Sequence, residues 1–341
     1  MKKKNLIYII AIIILFMVLI ICSCIGTANI SYMDAIKIIL KKIPFLNIDI
    51  SSIPNSSQTI IWQIRFPRVL VGALVGGTLS VSGVTYQGLL KNPMADPYVI
   101  GVSSGAALGA SIGIVSKISF SLLGLSFTSI MAFIFAVAVV LTVYNIARVG
   151  KKVPMTTLLL SGMAIGQFLT ALTSLIMIFS NKDMQRIMLW TMGSLSGKGW
   201  EQFIAVAPYI LAGILVIYYF ANDLNIFLLG EDTANNLGVN VEKTKKILLI
   251  VSAVVTALAV SVSGIIGFVG LVIPHIVRIA IGPNHKTLIP MSFIAGAILM
   301  VICDTLSRSV MSQEIPVGII TAILGGPFFV YLLRNNKKQA F

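Results

Sequence analysis

Few side chains in this chain of 341 residues are of the types that do covalent or metal chemistry. The two histidines, His275 and His285, cannot build a histidine metal site alone. The three cysteines lie in apolar segments and show neither zinc spacing nor a disulfide framework. No serine has a histidine at a depth suited to a Ser/His/Asp triad. The sequence therefore predicts no enzyme, no metal centre and no bound cofactor.

One glycine-rich stretch and one methionine stripe resemble binding motifs only superficially. "GSLSGKG" (193–199) has the wrong spacing for a P-loop, and no Ser or Thr follows Lys198. The chain is therefore not expected to hydrolyse nucleotide itself. Met184, Met188 and Met192 could bind a soft metal, but helix packing is the simpler interpretation of their spacing.

Three arginines are candidates for contact with an acidic partner. Arg65 and Arg68 lie three residues apart in "RFPR", on one helical face, where Pro67 helps to start a helix. They could instead be interfacial residues whose charged heads reach water. Arg308 follows Asp304 by four residues, so these two could simply pair along one helix.

The elements that carry these residues are strongly apolar. The chain is 57% hydrophobic and only 11% charged, with a mean hydropathy of +0.99, whereas soluble domains are about a quarter charged. This composition predicts an all-α polytopic membrane protein with one transmembrane domain over 1–341. Because a span needs roughly 20 apolar residues, we expect about ten spans. They are 6–26, 66–90, 97–116, 124–147, 156–179, 201–220, 246–264, 265–282, 287–310 and 316–334.

Loop charges predict the orientation of these spans. The first apolar run is longer than a usual signal-peptide core, and no cleavage site follows cleanly, so an uncleaved first span is expected. If the lysines at 2–4 are cytoplasmic, the basic loops at 148–152, 241–246, 284–286 and 334–338 are cytoplasmic too. Both termini then lie inside. The net charge of +14 is juxtamembrane by this interpretation and does not indicate nucleic-acid binding.

Two segments outside the membrane carry helical patterns. The outer loop 27–60 contains "SYMDAIKIILKK", in which Ser31 can cap a short amphipathic helix. The stretch "NKDMQRIMLWTMGSLSGKGWE" predicts a helix that lies on, or dips into, the outer face.

The chain also contains a candidate internal repeat. "LSVSGV" (79–84) resembles "VSVSGI" (260–265), and the same offset of 181 places Pro93 on Pro274 and Gly101 on Gly282. Because the two spans run in opposite directions, an inverted repeat is expected.

The stretch "NPMADPYVIGVSSGAALGA" (92–110) interrupts the apolar sequence between two spans. Asp96 is a suitable N-cap and Pro97 a suitable first helical residue, which predicts a helix start at the cytoplasmic border. Gly101, Gly105 and Gly109 then recur every four residues. They form a smooth stripe for close helix packing, or for helices that flank a transport pathway.

The longest cytoplasmic loop is "LLGEDTANNLGVNVEKTKK" (228–246), within a polar segment at 221–246. Gly230 and Gly238 can end short helical turns around "EDTANN". A rigid cytoplasmic protrusion and a solvated connector are both consistent with this pattern.

Taken together, these stretches are similar to one family: the membrane permeases of ABC importers for iron-siderophores, haem and cobalamin, which have the type II importer fold. The resemblance extends over nearly the whole chain. It is carried, in order, by "IRFPR", "SGVTYQGLLKNPMADPYVIGVSSGA", "WTMGSLSG", "LLGEDTANNLGV", "GFVGLVIPHIVR" and "IPVGIITAILGGPFF".

The resemblance implies partners and site residues that the composition does not show. It implies a second permease subunit, identical or a sister chain, two ATPase subunits, and an outer substrate-binding protein whose acidic residues meet permease arginines. The matching arginines are Arg65, Arg68 and Arg308. The matching residues of the ATPase-coupling loop are Gly230, Glu231, Ala234, Leu237 and Gly238. The pathway of the family points to Ser161, Gly162 and Gly166.

Three rival functions differ in the residues that they require. A secondary transporter driven by an ion gradient should show carboxylate pairs at mid-membrane, where this chain offers only Asp304. A permease for free metal ions should show more buried His or carboxylate ligands. An intramembrane enzyme lacks its catalytic residues. A ferric siderophore is the first expectation for the substrate, with haem and cobalamin behind it.

Overall fold

The protein is described here from a computed structural model, for residues 2–26, 28, 30–42, 48–150, 152–311 and 313–336. Within these residues the chain is mostly helical, which confirms the predicted fold class. The helices, in chain order, are α1 Lys2–Cys24, α2 Tyr32–Lys41, α3 Asn55–Thr59, α4 Phe66–Leu89, α5 Val102–Val115, α6 Phe127–Ala147, α7 Met155–Phe179, α8 Met184–Thr191, α9 Trp200–Tyr219, α10 Ala221–Phe227, α11 Glu231–Asn236, α12 Val241–Ser263, α13 Val269–Ile281, α14 His285–Ser309 and α15 Val317–Asn336. A two-stranded hairpin, β1 Ser121–Leu122 and β2 Leu125–Ser126, joins α5 to α6.

Each of the ten predicted spans contains one apolar helix. Seven are long and apolar enough to cross a membrane by length and composition: Leu6–Cys24, Asn55–Leu89, Phe127–Ala147, Met155–Phe179, Trp200–Tyr219, Val241–Ser263 and His285–Ser309. The apolar helices Val102–Val115, Val269–Ile281 and Val317–Tyr331 are shorter. A 14-residue helix such as α5 is about 21 Å long, below the roughly 30 Å hydrocarbon thickness. The count of ten crossings is therefore not confirmed.

The short length of α5 has a structural cause in the segment that precedes it. After α4 the chain turns back along that helix: a Cβ on Gly270 would lie 2.8 Å from the Leu79 carbonyl oxygen and 3.0 Å from the Pro97 ring. Leu79 is ten residues before the end of α4 at Leu89, or about 15 Å along the axis. The predicted cap at Asp96 and helix start at Pro97 are present, but they lie beside the middle of α4 rather than level with its end; the predicted position at the cytoplasmic border stays a prediction.

Asp96 caps a single 3-10 turn rather than α5. Its carboxylate accepts a hydrogen bond from the Tyr98 N–H at 2.8 Å, and the 3-10 turn covers Pro97–Ile100. The chain then reverses through Gly101, whose φ of 88° is left-handed, a conformation that favours glycine.

The break before α5 contacts a second break, between α12 and α13. The Tyr98 hydroxyl donates to the Ile266 carbonyl at 3.0 Å. Two interrupted segments that meet are consistent with the inverted repeat, which stays a prediction. The proposed offset of 181 is wrong, however, because Pro93 and Gly101 precede α5 whereas Pro274 lies inside α13 and Gly282 follows it.

Small residues bring α4 into very close contact with its neighbours. A Cβ on Gly76 would lie 2.2 Å from the Gly296 carbonyl oxygen in α14, and one on Gly83 would lie 1.8 Å from that of Gly270 in α13. Close backbone approach through small residues is the usual basis of helix association in membranes. These contacts make α4 the centre of the helical bundle.

The predicted amphipathic helix in the 27–60 loop is α2, which buries Ala35, Ile38 and Ile39. Ser31 precedes it but makes no side-chain capping hydrogen bond. Residues 27, 29 and 43–47 of that loop lie outside the described residues.

The helix predicted within 181–201 is α8. Met184 and Met188 are 45% and 43% exposed there, so neither packs inside this chain, and packing of the stripe against another surface stays a prediction.

Candidate functional site

A π-helical turn, Ile60–Arg65, joins α3 to α4 just before the arginines. The Phe66 N–H donates to the Ile61 carbonyl, five residues back. In the same register, the Trp62 carbonyl would have to accept from the nitrogen of Pro67, which carries no hydrogen. The indole N–H of Trp200 donates to this oxygen instead, at 2.7 Å. The start of α9 is thereby tied to the start of α4.

Arg65 is buried, at 5% exposure, and bonds to backbone rather than to an acidic group. Its guanidinium donates to the carbonyl oxygens of Cys24 and Ala28, both at 2.8 Å. Cys24 is the last residue of α1, where helical carbonyls lack intrahelical partners, and Ala28 lies four residues beyond it. Arg65 therefore joins the end of α1 to α4.

Arg68 and Arg308 flank a buried carboxylate, Asp304, which is 1% exposed. Arg68 donates to it from Nε at 3.0 and 3.1 Å and from Nη2 at 2.9 Å. The Nε of Arg308 is 3.9 Å from the same carboxylate, and its Nη2 donates to the Cys22 carbonyl. The predicted pairing along α14 therefore exists, but the closer partner of Asp304 is Arg68.

The second carboxylate of this network comes from Glu314, which lies between α14 and α15. Its Oε1 accepts from Nη1 of Arg68 at 2.9 Å. The hydrogen bond from Arg68, with a smaller contribution from Ser196, holds the pKa of Glu314 below its usual range despite partial burial. Three guanidiniums and two carboxylates thus leave one excess positive charge at this end, which we call the arginine end.

The three arginines lie together, as predicted, but none is presented on the surface. Arg65, Arg68 and Arg308 are all below 8% exposed, so the interpretation that they extend to water is wrong. Their bonds join α1, α4, α14 and the residues before α15. In this conformation they stabilise the contacts of four segments, and contact with an acidic partner stays a prediction.

The residues matched to the coupling loop form a small two-helix projection. α10 and α11 meet at Gly230, whose φ is 116°, and α11 ends before Gly238, whose φ is 84°. Ala234 is fully buried, whereas Leu237 is 59% exposed. The end of the molecule that carries this projection is called the short-helix end.

Ion pairs and hydrogen bonds hold the projection rigidly. Lys245, only 6% exposed at its side chain, bonds Glu231 at 2.7 Å and lies 3.6 Å from Glu242. On the other side, Oδ1 of Asn225 accepts the His285 N–H at 2.8 Å, which ties α10 to the start of α14. The projection is thus a defined surface rather than a solvated connector.

The glycines matched to the pathway mostly mediate helix packing. A Cβ on Gly105 would meet the Phe135 carbonyl oxygen at 2.9 Å, and one on Gly109 would meet that of Met131 at 2.3 Å. Gly162 approaches the Val99 carbonyl, where a Cβ would lie only 2.4 Å away. The stripe of Gly101, Gly105 and Gly109 therefore faces protein.

Ser161 and Gly166 border a surface of α7 that differs from the one through which Gly162 packs against Val99. Both are half-buried, and a Cβ on Gly166 would have 3.5 Å to its nearest neighbour. Along one edge of the exposed face, α7 presents polar and small side chains: Gln167, Thr170, Ala171 and Ser174. Polar side chains within a span normally face protein or a water-filled cavity.

Several structurally important residues could not be found from the sequence. Asp304 and Arg68 are 236 residues apart, and Glu314 is 246 residues from Arg68. No local spacing signals such a partnership. Proline two residues after Arg65 is a signal for the π-helical turn, but it does not reveal that Trp200 is the donor.

Comparison with known proteins agrees with this architecture. The pattern of the FecCD transport family matches residues 12–335. The cobalamin import permease BtuC of Halobacterium salinarum is 43% identical over 84% of this chain and 77% of its own length. The Fe(3+)-citrate import permease YfmD of Bacillus subtilis is 36% identical over 99% of this chain and 97% of its own length.

A solved structure shows that the likeness extends to the fold. It is an inward-facing conformation of an ABC transporter assigned to the metal-chelate type, 29% identical, with a TM-score of 0.83 over 97% of this chain and 99% of that one. The family match covers well over half of the chain. The chain therefore belongs to the FecCD transport family of multi-pass cell-membrane permeases.

Proposed function

We propose that this chain is the permease subunit of an ATP-driven importer that carries a metal chelate, most fittingly a ferric siderophore, with haem and cobalamin as the alternatives. Relatives named for cobalamin and for Fe(3+)-citrate import support the substrate class. The short-helix end is cytoplasmic and the arginine end faces outward, in agreement with the basic loops and with both termini inside.

The observation that carries this proposal is the rigid projection of α10 and α11. It is anchored through Lys245 and Asn225, yet Leu229 and Leu237 are 66% and 59% exposed on it. An anchored projection with exposed leucines fits the groove of a partner and transmits movement to α12 and α14. The partner that this proposal assigns is a pair of ATPase subunits, because the chain has no nucleotide motif of its own.

The polar edge of α7 supports a second permease subunit. Gln167 is exposed within an apolar span, whereas the exposed hydroxyls of Thr170 and Ser174 donate to the carbonyl oxygens of Gly166 and Thr170 in the same helix. An arrangement with lipid on the Gln167 amide would be unfavourable. A second copy or a sister permease across this edge would enclose a polar passage between the subunits. The chelate then passes along that interface as the ATPases close and open.

An outer substrate-binding protein completes the assembly at the arginine end. The buried arginines give this end its excess positive charge, while Lys37, Lys41 and Lys42 of the α2 region are exposed. Acidic residues on the partner would be attracted to this surface and would associate faster at low salt.

The secondary-transporter alternative lacks support in the geometry. Asp304, the carboxylate that the sequence analysis offers to carry an ion, already accepts three hydrogen-bond contacts from Arg68 and lies near Arg308. These contacts occupy the Asp304 carboxylate in joining α4 to α14.

The proposal is tested by uptake of radiolabelled iron, supplied as a panel of siderophores, as haem and, separately, by uptake of labelled cobalamin. A deletion strain is complemented with wild type, with Leu237→Glu or with Val149→Glu. Val149, in the α6–α7 turn, is 64% exposed and serves as the matched control. We expect deletion to abolish uptake of one substrate, and wild type and Val149→Glu to restore it. Leu237→Glu should give at least about tenfold lower uptake than wild type at equal expression.

Two results would contradict the proposal. If deletion leaves the uptake of every substrate unchanged, the substrate class is wrong. If uptake survives depletion of cellular ATP but collapses when the ion gradient is removed, the chain is a secondary transporter.

A further inference from the structure

The ammonium group of Lys245 lies between carboxylates that belong to two different helices. Lys245 is part of α12, and its side chain is only 6% exposed. Its Nζ bonds Oε1 of Glu231, in α11, at 2.7 Å. The same Nζ lies 3.6 Å from Oε1 of Glu242, one turn earlier in α12. Lys245 therefore fixes α11 against α12 and attracts the Glu242 side chain to the same point.

The other oxygen of Glu242 reaches the start of α7. Its Oε2 accepts a hydrogen bond from the Val153 N–H at 3.3 Å. Val153 is buried and precedes Pro154, the N-cap of α7, which provides no side-chain cap. The dipole of a helix favours a carboxylate beside its N-terminus. Glu242 therefore ties α12 to the residue that leads into α7.

These contacts form one continuous link from the α10–α11 projection to α7. Within the described residues, no hydrogen bond or ion pair joins α11 directly to residues 148–179. The side chain of Glu242 is 34% exposed, so it can turn toward water unless the cation at its other oxygen holds it. Lys245 thus orients the contact between Glu242 and Val153, in which it takes no part itself.

We propose that Lys245 is a positioning residue for transport: it joins the projection to the start of α7, so that both move together. When the ATPase partners displace the projection, Lys245 and Glu242 move with it and tilt α7 at Val153. Because α7 carries the polar edge at Gln167, this tilt changes the width of the passage between the subunits. The inference rests on the proposed importer function, since it needs a partner that moves the projection.

The link is tested by hydrogen–deuterium exchange, resolved to single amides, on the purified full-length chain in nanodiscs. The reporter is the Val153 N–H, which bonds Glu242 and not Lys245. Lys245→Met keeps the length of the buried side chain but removes its charge, so Glu242 is no longer held. Exchange at Val153 should then be about fivefold faster than in the wild type.

A matched control removes the neighbouring charge. Lys246 is exposed and forms no ion pair among the described residues. Lys246→Met should therefore leave exchange at Val153 within about twofold of wild type. If Lys245→Met behaves like Lys246→Met at this amide, the link does not exist.

A double substitution shows whether Lys245 acts through Glu242. Glu242→Ala removes the acceptor of the Val153 N–H and should itself speed exchange at that amide. Adding Lys245→Met to Glu242→Ala should then leave the exchange within about twofold of the Glu242→Ala variant, because residues in one network are not additive. A further fivefold increase would mean that Lys245 stabilises this region in general, which contradicts the proposal.

The role in transport is tested in the uptake assay at equal expression. Lys245→Met and Glu231→Gln each break the connection to α11, so both should lower uptake at least about tenfold. Lys246→Met should stay within about twofold of wild type. Glu231→Gln leaves Lys245 beside Glu242, so its exchange at Val153 should remain within about twofold of wild type.

Normal uptake with both Lys245→Met and Glu231→Gln would overturn the role of Lys245 in transport. Failure of the importer function itself has a different signature, because uptake of every substrate would then be unchanged on deletion of the chain. The exchange measurements need neither ATPase nor substrate, so they test the link independently of that result.

Discussion

The substitution Asp304→Asn tests whether the buried charge network stabilises the fold. The Asp304 side chain is 2% exposed, and the two guanidiniums beside it are 8% and 7% exposed. Asparagine has nearly the same shape as aspartate but carries no charge. Its side-chain N–H₂ group would also face the N–H groups of the guanidiniums, where no acceptor remains. Arg68 and Arg308 would then share only Glu314 as a counter-ion.

The expected cost follows from these contacts. Breaking a buried ion pair by removing one partner costs about 3–5 kcal/mol. A hydrogen bond to a charged group contributes about 1.5–3 kcal/mol, so loss of the two bonds from Nε and Nη2 of Arg68 gives a similar figure. The entropy of unfolding scales with chain length, so for 341 residues each kcal/mol shifts the midpoint of thermal unfolding by about 1.4 °C. The midpoint should therefore fall by about 4–7 °C.

The assay uses the chain's own cysteines. Cys22, Cys24 and Cys303 are free and buried, so a thiol-reactive fluorophore reports unfolding in detergent. Glu201→Gln, which removes an exposed carboxylate without an ion pair in the described part of the chain, should shift the midpoint by less than about 2 °C. An Asp304→Asn midpoint within that same range would refute the view that Asp304 balances the two arginines.

Further substitutions separate packing from transport. Gly83→Ala should lower the unfolding midpoint by several degrees because its Cβ would lie 1.8 Å from a carbonyl oxygen, whereas Gly326→Ala, with nothing within 4 Å, should not. Gly162→Ala should lower the unfolding midpoint in the same assay, because its Cβ would collide with the Val99 carbonyl. Gly166→Ala has room for a Cβ and should keep the wild-type midpoint, so a loss of uptake with this variant would reflect a changed pathway surface rather than lost stability. Trp200→Phe removes the donor to a π-helical carbonyl and should cost about 1–3 kcal/mol, measured as a lower unfolding midpoint.

Apolar runs were sufficient to predict where the helices lie. Each of the ten expected spans contains an apolar helix, because a membrane requires hydrophobic side chains and internal backbone hydrogen bonds along the whole crossing. The same rule does not reveal at which level of the helical bundle a helix begins. α5 starts late because residues 92–101 fold back beside α4, and only the contact of Pro97 with Gly270 in α13 shows it.

The charged residues were harder to interpret from sequence. Arginines near the end of a span are equally consistent with exposure to water and with burial beside a partner. The difference depends on acceptors far away in the chain, such as Asp304 and the Cys24 carbonyl. Spacing along one helix predicted only the weaker contact, between Asp304 and Arg308 at 3.9 Å.

The distribution of burial among the helices indicates which parts can move. The most apolar windows of α4 and α12 are 89% and 72% buried, whereas those of α1 and α7 are each only 17% buried. The exposed side chains of α1 are apolar, which suits contact with lipid, whereas α7 also exposes Gln167. Glycine contacts too close for a side chain join α4 to α13 and α14, so these three helices must move as one body. α7 and α15 lie at the edge of that body, where the polar face of α7 needs a partner and the start of α15 is held through Glu314. Movement during transport is therefore expected at α7 and α15 against a rigid core, because close-packed interiors shift between discrete arrangements rather than deform continuously.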